Sequence, residues 1–266
     1  MMRIAVAGLG VIGRSLVSRL AAGVPGLDLV AVAARDPAKA EATLRELDVD
    51  VPVKTIEELE PLADLVIECA PGHLLPRIAE PMLRAGKEVV VLSAGALLEH
   101  PHLFDLAETC GGTISVPTGA LLGLDAVGAA AEGEIRSLRL TTRKPPGGLV
   151  GAPGIEASGV DLASLTDPVR VFAGTAREAA RDFPANLNVA AALSLAGPGP
   201  DRTEVEIWAD PAVTKNTHTI VMESDVADLT MTIENVPSEN PRTGRITAPS
   251  VISMLRKRAA HLRVGS

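Results

Sequence analysis

The feature that most constrains this chain is the glycine turn Gly8-Leu9-Gly10-Val11-Ile12-Gly13, because of what stands on either side of it. Residues 3–7 before it form a short apolar run with the pattern of a buried strand, and residues 12–22 after it carry apolar side chains at helical spacing. Such a turn alone is weak evidence. Between a strand and a helix, at the head of a βαβ series, it becomes a strong signature of dinucleotide binding. The first glycine permits the tight turn, the second lets the backbone approach a pyrophosphate, and the third lets helix and strand pack closely. The anion then rests on the positive end of the helix dipole. Gly8, Gly10, Val11, Ile12 and Gly13 are therefore the expected cofactor contacts.

The alternation continues. Strand patterns at residues 27–33, 65–69, 88–92 and 112–116 are separated by helical patterns at 37–47, 75–85 and 104–109. Asp36 is a natural helix cap with Pro37 at the favoured next position. Strands alternating with helices predict a parallel sheet, and right-handed crossovers make it a doubly wound α/β (Rossmann) domain. The loops Ala70-Pro71-Gly72 and Ser93-Ala94-Gly95 at strand carboxyl ends are expected to line the nicotinamide side of the crevice, with Ala70 a cofactor contact. The acid that usually holds a ribose at the end of the second strand is missing from Ala33-Ala34-Arg35-Asp36-Pro37. Asp36 reads better as a cap, and Arg35 suits a 2′-phosphate. The expected cofactor is NAD or NADP.

Composition narrows the class. The 266 residues suffice for one large or two ordinary domains. Aromatic residues are only 2% and Tyr is absent, so the core must be aliphatic, which suits buried parallel strands. The same scarcity argues against single-stranded nucleic acid, whose binding needs stacking platforms. A net charge of −8 lacks the footprint for phosphate backbones, though a small anion needs only a local basic pocket. With no signal-peptide pattern and no run of 18 apolar residues, neither nucleic acid nor membrane is an expected partner, and the expected location is cytoplasmic. Cys69 and Cys110 form no disulfide framework and no metal-ligand spacing, so no metal is expected.

After residue 116 the texture changes. Strand-like runs at 135–142, 169–172, 203–208, 217–223 and 228–234, with helices at 176–182 and 186–196, predict an α+β domain on a mostly antiparallel sheet. Residues 143–161 read as a loop. An amphipathic helix at 247–262 is expected to return to the first domain. The expected division is residues 1–117 plus 241–266 for the dinucleotide and 118–240 for substrate binding and dimerisation. A second copy commonly covers an open sheet of this kind, so a homodimer is expected.

Of the five histidines, His100, His102 and His261 read as solvated. His73 follows a strand end near the expected cofactor, and His218 lies in a connection between two strands of the second domain. Residue pattern alone leaves both open between a structural and an acid–base role. Cys69 reads as a small buried hydrophobe, and Cys110 has no nearby cation to activate it. Cations cluster in Thr142-Arg143-Lys144-Pro145-Pro146 and in Asn240-Pro241-Arg242-Thr243-Gly244-Arg245. Proline and glycine fix the backbone around both clusters, as a shaped carboxylate site requires.

Several stretches, taken together, resemble the L-aspartate dehydrogenase family along nearly the whole chain. They are the glycine turn, Glu68-Cys69-Ala70, Ser93-Ala94-Gly95-Ala96, Thr118-Gly119-Ala120 with Leu124-Asp125-Ala126, Thr142-Arg143-Lys144-Pro145, Phe183-Pro184-Ala185-Asn186-Leu187-Asn188-Val189-Ala190-Ala191, Ser194-Leu195-Ala196-Gly197, Asp210-Pro211, Asn216-Thr217-His218 and Asn240-Pro241-Arg242-Thr243. The resemblance implies NAD(P)-dependent, reversible oxidative deamination of L-aspartate through iminoaspartate to oxaloacetate and ammonia, with iminoaspartate available to NAD biosynthesis. By that resemblance His218 matches the catalytic histidine, and Ala120 and Asn188 match cofactor contacts. Asn188 would also orient the substrate, a small dicarboxylate for which Lys144 and Arg242 are both candidate cations. Two alternatives stay open: another oxidoreductase acting on a related amino or keto acid, such as a homoserine dehydrogenase, and a non-catalytic dinucleotide-binding protein. Sugar-type dehydrogenases carry Glu-Lys-Pro where Ser93-Ala94-Gly95 stands, and dihydrodipicolinate reductases carry a His-His pair with a nearby Lys; this chain has neither.

Overall fold

The computed structural model describes residues 1–184, 188–238 and 244–265. The chain divides into two compact units, Met1–Pro117 with Ala248–Ser266, and Thr118–Thr247.

In the first unit, strands β1 (Met2–Ala7), β2 (Leu27–Ala33), β3 (Val53–Lys54), β4 (Leu65–Glu68), β5 (Glu88–Val91) and β6 (Thr113–Ser115) form one sheet in the order β3-β2-β1-β4-β5-β6. Every pairing is parallel. Helices α1 (Val11–Ala21), α2 (Pro37–Glu46), α3 (Leu75–Arg84), α4 (Ala94–Glu99) and α5 (His102–Cys110) make the crossovers. Alternate strand residues feed opposite faces. Ile4, Val6, Leu65, Ile67 and Val90 pack with Leu16, Val17 and Leu20 of α1, while Ala5, Ala7, Val66, Val89 and Val91 pack with Leu75, Ile78 and Met82 of α3. Burial on both faces is why these strands read as unbroken apolar runs. The chain winds outward through β2 and β3, then returns to β4 on the other side of β1. The switch point therefore falls at the carboxyl end of β1, where the glycine turn stands.

The second unit carries strands β7 (Ile135–Lys144), β8 (Val169–Thr175), β9 (Thr203–Ala209), β10 (Asn216–Ser224) and β11 (Leu229–Asn235), in the order β11-β10-β7-β9-β8. The β7–β9 pair is parallel and the other pairings are antiparallel. Helices α6 (Leu124–Ala130), α7 (Pro153–Ser158), α8 (Ala176–Asp182) and α9 (Asn188–Ala196) accompany the sheet. Leu138, Leu140, Val205, Ile207, Ile220 and Met222 pack with Val127 of α6, Ala179 of α8 and Leu193 of α9 in one core. The other face is polar: Arg139 pairs with Glu204 and Arg170 with Glu206, and the Arg143 guanidinium lies 4.8 Å from the Trp208 ring centre. The last helix, α10 (Thr247–Ala259), sets Val251, Ile252 and Leu255 into the first unit's core beside α1.

Two local readings change. Residues 143–161 are not one loop: β7 runs on through Lys144, and α7 opens with Pro153 in its first turn and ends at Gly159, whose φ of 68° suits only glycine there. Ser93-Ala94-Gly95 is not a loop either, because α4 starts at Ala94. His218 is the third residue of β10, within the strand expected at 217–223.

Candidate active site

The glycine turn is made of backbone, and each glycine answers a different need. Gly8 has φ 109°, its N–H donates to the Ala33 carbonyl at 2.7 Å, and a Cβ there would stand 2.5 Å from the Cys69 carbonyl oxygen. A Cβ on Gly13 would stand 1.9 Å from the Gly8 carbonyl oxygen. At Gly10 a Cβ would meet nothing within 4 Å. Gly10 is the N-cap of α1, which has no side-chain cap and no acidic residue in its first turn. The first amides of α1 thus keep their donor capacity for an anion that enters the open space at Gly10. That cradle fits a dinucleotide pyrophosphate. Val11 is exposed and Ile12 half-buried at its lip. Asp36 caps α2, its Oδ1 accepting from the Lys39 N–H at 3.1 Å, and Arg35 is exposed just beyond β2.

Behind this cradle stands Glu68, fully buried at the end of β4. Its Oε1 accepts from the Ala70 N–H at 2.9 Å. Its Oε2 accepts from the N–H groups of Leu92 and Ser93 at 3.2 and 2.9 Å and from the Ser93 hydroxyl at 2.7 Å. Burial pushes the carboxyl up, against the pull of these four donors. The carboxylate thereby ties the ends of β4 and β5 together and fixes the Ala70 and Ser93 backbones. A lone acid inside an apolar strand was the available signal, and residue-pattern reasoning gave it no role. Cys69 beside it has its thiol pushed up by burial and by the Glu68 charge, the reverse of an activated nucleophile.

In the second unit the helix-covered face of the sheet turns polar at one end. Along β7 the inward side chains run Leu138, Leu140, Thr142, Lys144, and along β10 they run Met222, Ile220, His218. His218 and Thr142 are direct partners in the antiparallel pair, and Thr142 Oγ1 lies 3.0 Å from His218 Nδ1. Thr142, Lys144 and His218 are each at most 3% exposed. Burial, and then the Lys144 charge, depress the His218 pKa to about 3, so the ring is neutral at physiological pH. At the same end Asp210 accepts from Arg143 at 3.1 Å, and its N–H donates to the Lys144 carbonyl at 2.9 Å, anchoring the strand that carries the lysine.

Asn235 closes this end. It is 3% exposed, its Nδ2 donates to the Ala120 carbonyl at 2.9 Å, and its Oδ1 has no partner. Ala120 is half-buried, and Asn188 opens α9. Thr142, Glu68 and Asn235 had no role assigned from residue pattern. Arg242 lies outside the described residues, as do Asn186 and Leu187 of the family-like stretch before α9. His73 is exposed in the turn after β4, His102 faces Glu80 at 3.3 Å, and His261 is exposed beyond α10. Among the described residues no group of three or more His, Cys, Asp and Glu side chains could hold a metal ion, and no helix is long and apolar enough to cross a membrane.

Both units match known proteins. Residues 125–258 fit the family model described as aspartate dehydrogenase, C-terminal, and residues 8–117 fit that of the homoserine dehydrogenase NAD binding domain. An L-aspartate dehydrogenase of Bordetella bronchiseptica is 58% identical over 99% of this chain and 97% of its own. One from Bradyrhizobium diazoefficiens is 56% identical over 100% of this chain and 94% of its own. Among solved structures, an aspartate dehydrogenase of Thermotoga maritima superposes with a TM-score of 0.75 at 22% identity, covering 100% of both chains, which speaks to the fold. With a dinucleotide cradle at one end of the chain, a buried histidine–lysine pair in the second unit, and relatives this similar over their full length, the chain belongs to the L-aspartate dehydrogenase family.

Proposed function

We propose that this protein is an NAD(P)-dependent L-aspartate dehydrogenase that interconverts L-aspartate, iminoaspartate, and oxaloacetate plus ammonia. The observation that carries the reading is the buried end of the second sheet, where a neutral imidazole, a threonine hydroxyl and a lysine share one face. A buried lysine beside a neutral imidazole suits the carboxylate of a small acidic substrate.

The roles follow from the residues. Gly8, Gly10, Val11, Ile12 and Gly13 hold the pyrophosphate, and Arg35 meets a 2′-phosphate when NADP is bound. Ala70, Ala120 and Asn188 are further cofactor contacts, and Asn188 also orients the substrate. When bound, the nicotinamide accepts hydride from the substrate α-carbon. Lys144 binds one substrate carboxylate and Arg242 the other. His218 acts at the α-centre, where water adds to the imine carbon and a ring nitrogen holds or moves a proton. A carboxylate on Lys144 also offsets the charge that helps depress His218, so the ring becomes more basic once substrate is in place.

The finer reading places the enzyme in the cytoplasm as a homodimer, with iminoaspartate available to NAD biosynthesis. The polar outer face of the second sheet, with Trp208 and Val221, is its subunit surface.

The test is oxidation of NADH and of NADPH by the purified protein with oxaloacetate and ammonia, with L-homoserine and NAD(P) as the contrasting pair. Turnover dependent on both oxaloacetate and ammonia supports the reading. Turnover with homoserine alone, or with neither pair, overturns it.

A further inference from the structure

The hydrogen bond between Thr142 and His218 settles more than the placement of a ring. In the neutral imidazole one nitrogen carries the proton and the other accepts, and the partner of the inner nitrogen decides which. His218 Nδ1 faces Thr142 Oγ1 at 3.0 Å. Across the other pairing it faces Ile233, and along its own strand its same-face neighbours are Asn216 and Ile220, while the hydrogen bond at Nδ1 is the one to Thr142. Among the described residues the Thr142 side chain makes no hydrogen bond except the one to His218.

Two arrangements satisfy the distance. If Nδ1–H donated to Oγ1, the threonine's own hydroxyl proton would be buried without an acceptor, at a cost of about 1–3 kcal/mol. If the hydroxyl donates to Nδ1, its proton is used and only oxygen lone pairs go unfilled, which is the cheaper deficit. The second arrangement puts the ring proton on Nε2.

We propose that Thr142 is a positioning residue that holds His218 as its Nε2–H tautomer, so that the ring meets the oxygen on the substrate α-carbon as a hydrogen-bond donor. This rests on the assignment of His218 to the α-centre made above. In the aminating direction, Nε2–H polarises the keto oxygen of oxaloacetate while ammonia adds. The C–N bond forms, the C=O π pair moves to oxygen, and that oxygen is stabilised in place by the fixed donor. No proton leaves the ring. A neutral imidazole can do this where its surroundings keep it from charging, and here burial, the larger cause, does so even with a carboxylate on Lys144. A hydroxyl suits the task better than a carboxylate. An acid at position 142 would draw the proton to Nδ1 and stabilise the imidazolium.

The experiment combines ¹⁵N NMR of the ligand-free, ¹⁵N-histidine-labelled protein with kinetics of Thr142→Val and Thr142→Ser, and His218→Ala assigns the resonances. The expected wild-type spectrum shows a protonated Nε2 and an unprotonated Nδ1. Thr142→Val, which keeps shape and loses the hydroxyl, should shift the Nδ1 resonance to that of a nitrogen without a donor, free the ring orientation and lower kcat about tenfold or more with KM little changed. Thr142→Ser should restore the Nδ1 resonance and most of kcat. A wild-type proton on Nδ1 overturns the proposal even if Thr142→Val does not fold. So does normal kcat in Thr142→Val. If His218→Ala itself keeps full turnover, the functional assignment of His218 falls, while the tautomer measurement stands or falls on its own spectrum.

Discussion

The cradle of the first unit and the buried end of the second sheet solve opposite problems. The cradle is backbone: three glycines within six residues, whose value lies in the atoms they lack, and a helix start left without a cap. The second is side chain: Thr142 and His218 are 76 residues apart in sequence and meet only because β7 and β10 pair in one register. A one-residue slip of that pairing would turn the imidazole to the opposite face. Local sequence therefore specifies the first, and tertiary structure specifies the second. Substitutions should separate them: changes in the cradle act on fold or cofactor affinity, and changes at the sheet end act on turnover.

The largest effect is expected within the glycine turn. Gly13→Ala places a methyl 1.9 Å from the Gly8 carbonyl oxygen, so strand and helix must part. We expect loss of soluble folded protein, or a thermal midpoint lowered by many degrees. Gly10→Ala meets nothing within 4 Å, so its melting curve should match the wild type. Its cofactor dissociation constant should rise about tenfold or more, because the methyl occupies the approach to the helix amides. Equal melting behaviour of the two variants would break the division of labour among these glycines.

At the sheet end, His218→Ala should lower kcat about 100-fold or more while cofactor affinity holds. Stability offers a second reading of the same residue. The folded pKa lies near 3 and the unfolded value near 6.5, so between these values the unfolded chain binds the extra proton. The contribution of a neutral His218 is complete above about pH 6.5 and is lost as pH falls towards 3, with a slope approaching about 1.4 kcal/mol per pH unit. Urea unfolding of wild type and His218→Gln at several pH values checks this. The variant should show a shallower acid decline, and parallel curves would contradict the buried neutral imidazole.

Glu68 should give a smaller, purely structural effect. Gln at this position keeps an oxygen for Leu92 and Ser93 but turns an amide N–H toward the Ala70 N–H. Loss of that bond should cost about 1–3 kcal/mol. Protection from hydrogen exchange should fall at Ala70 and Ser93 before it falls in the β1–β4 core.

This contrast also explains what could be read in advance. Gly8 to Gly13, the capping Asp36-Pro37 pair and the apolar runs of β1, β2, β4 and β5 are local signals, and the α/β fold followed from them. β3 was missed because two residues carry no period, and α7 was missed because a single turn among glycines and prolines looks like loop. The family-like stretches pointed to His218, Ala120 and Asn188, with Lys144 as a candidate cation. They said nothing of Thr142 as the partner of the imidazole, of Glu68 as the clasp of two strand ends, or of Asn235 holding the Ala120 carbonyl. Those are contacts across 76, 25 and 115 positions, set by strand order rather than by neighbouring residues.

The smallest expected effect lies at the edge of the cradle. Arg35 is exposed beyond β2, and the neighbouring Asp36 spends one oxygen on the Lys39 amide as the α2 cap. An exposed guanidinium on a phosphate gains much less than a buried pair, because water and salt screen it. Arg35→Ala should therefore raise KM for NADP(H) by about tenfold or less, leave KM for NAD(H) and kcat with either cofactor unchanged, and lose its effect as salt increases. If KM rises equally for both cofactors, Arg35 serves the adenosine or the turn itself, and the end of β2 does not discriminate the 2′-phosphate. If neither KM moves, the backbone of the glycine cradle binds both dinucleotides without help from that side chain.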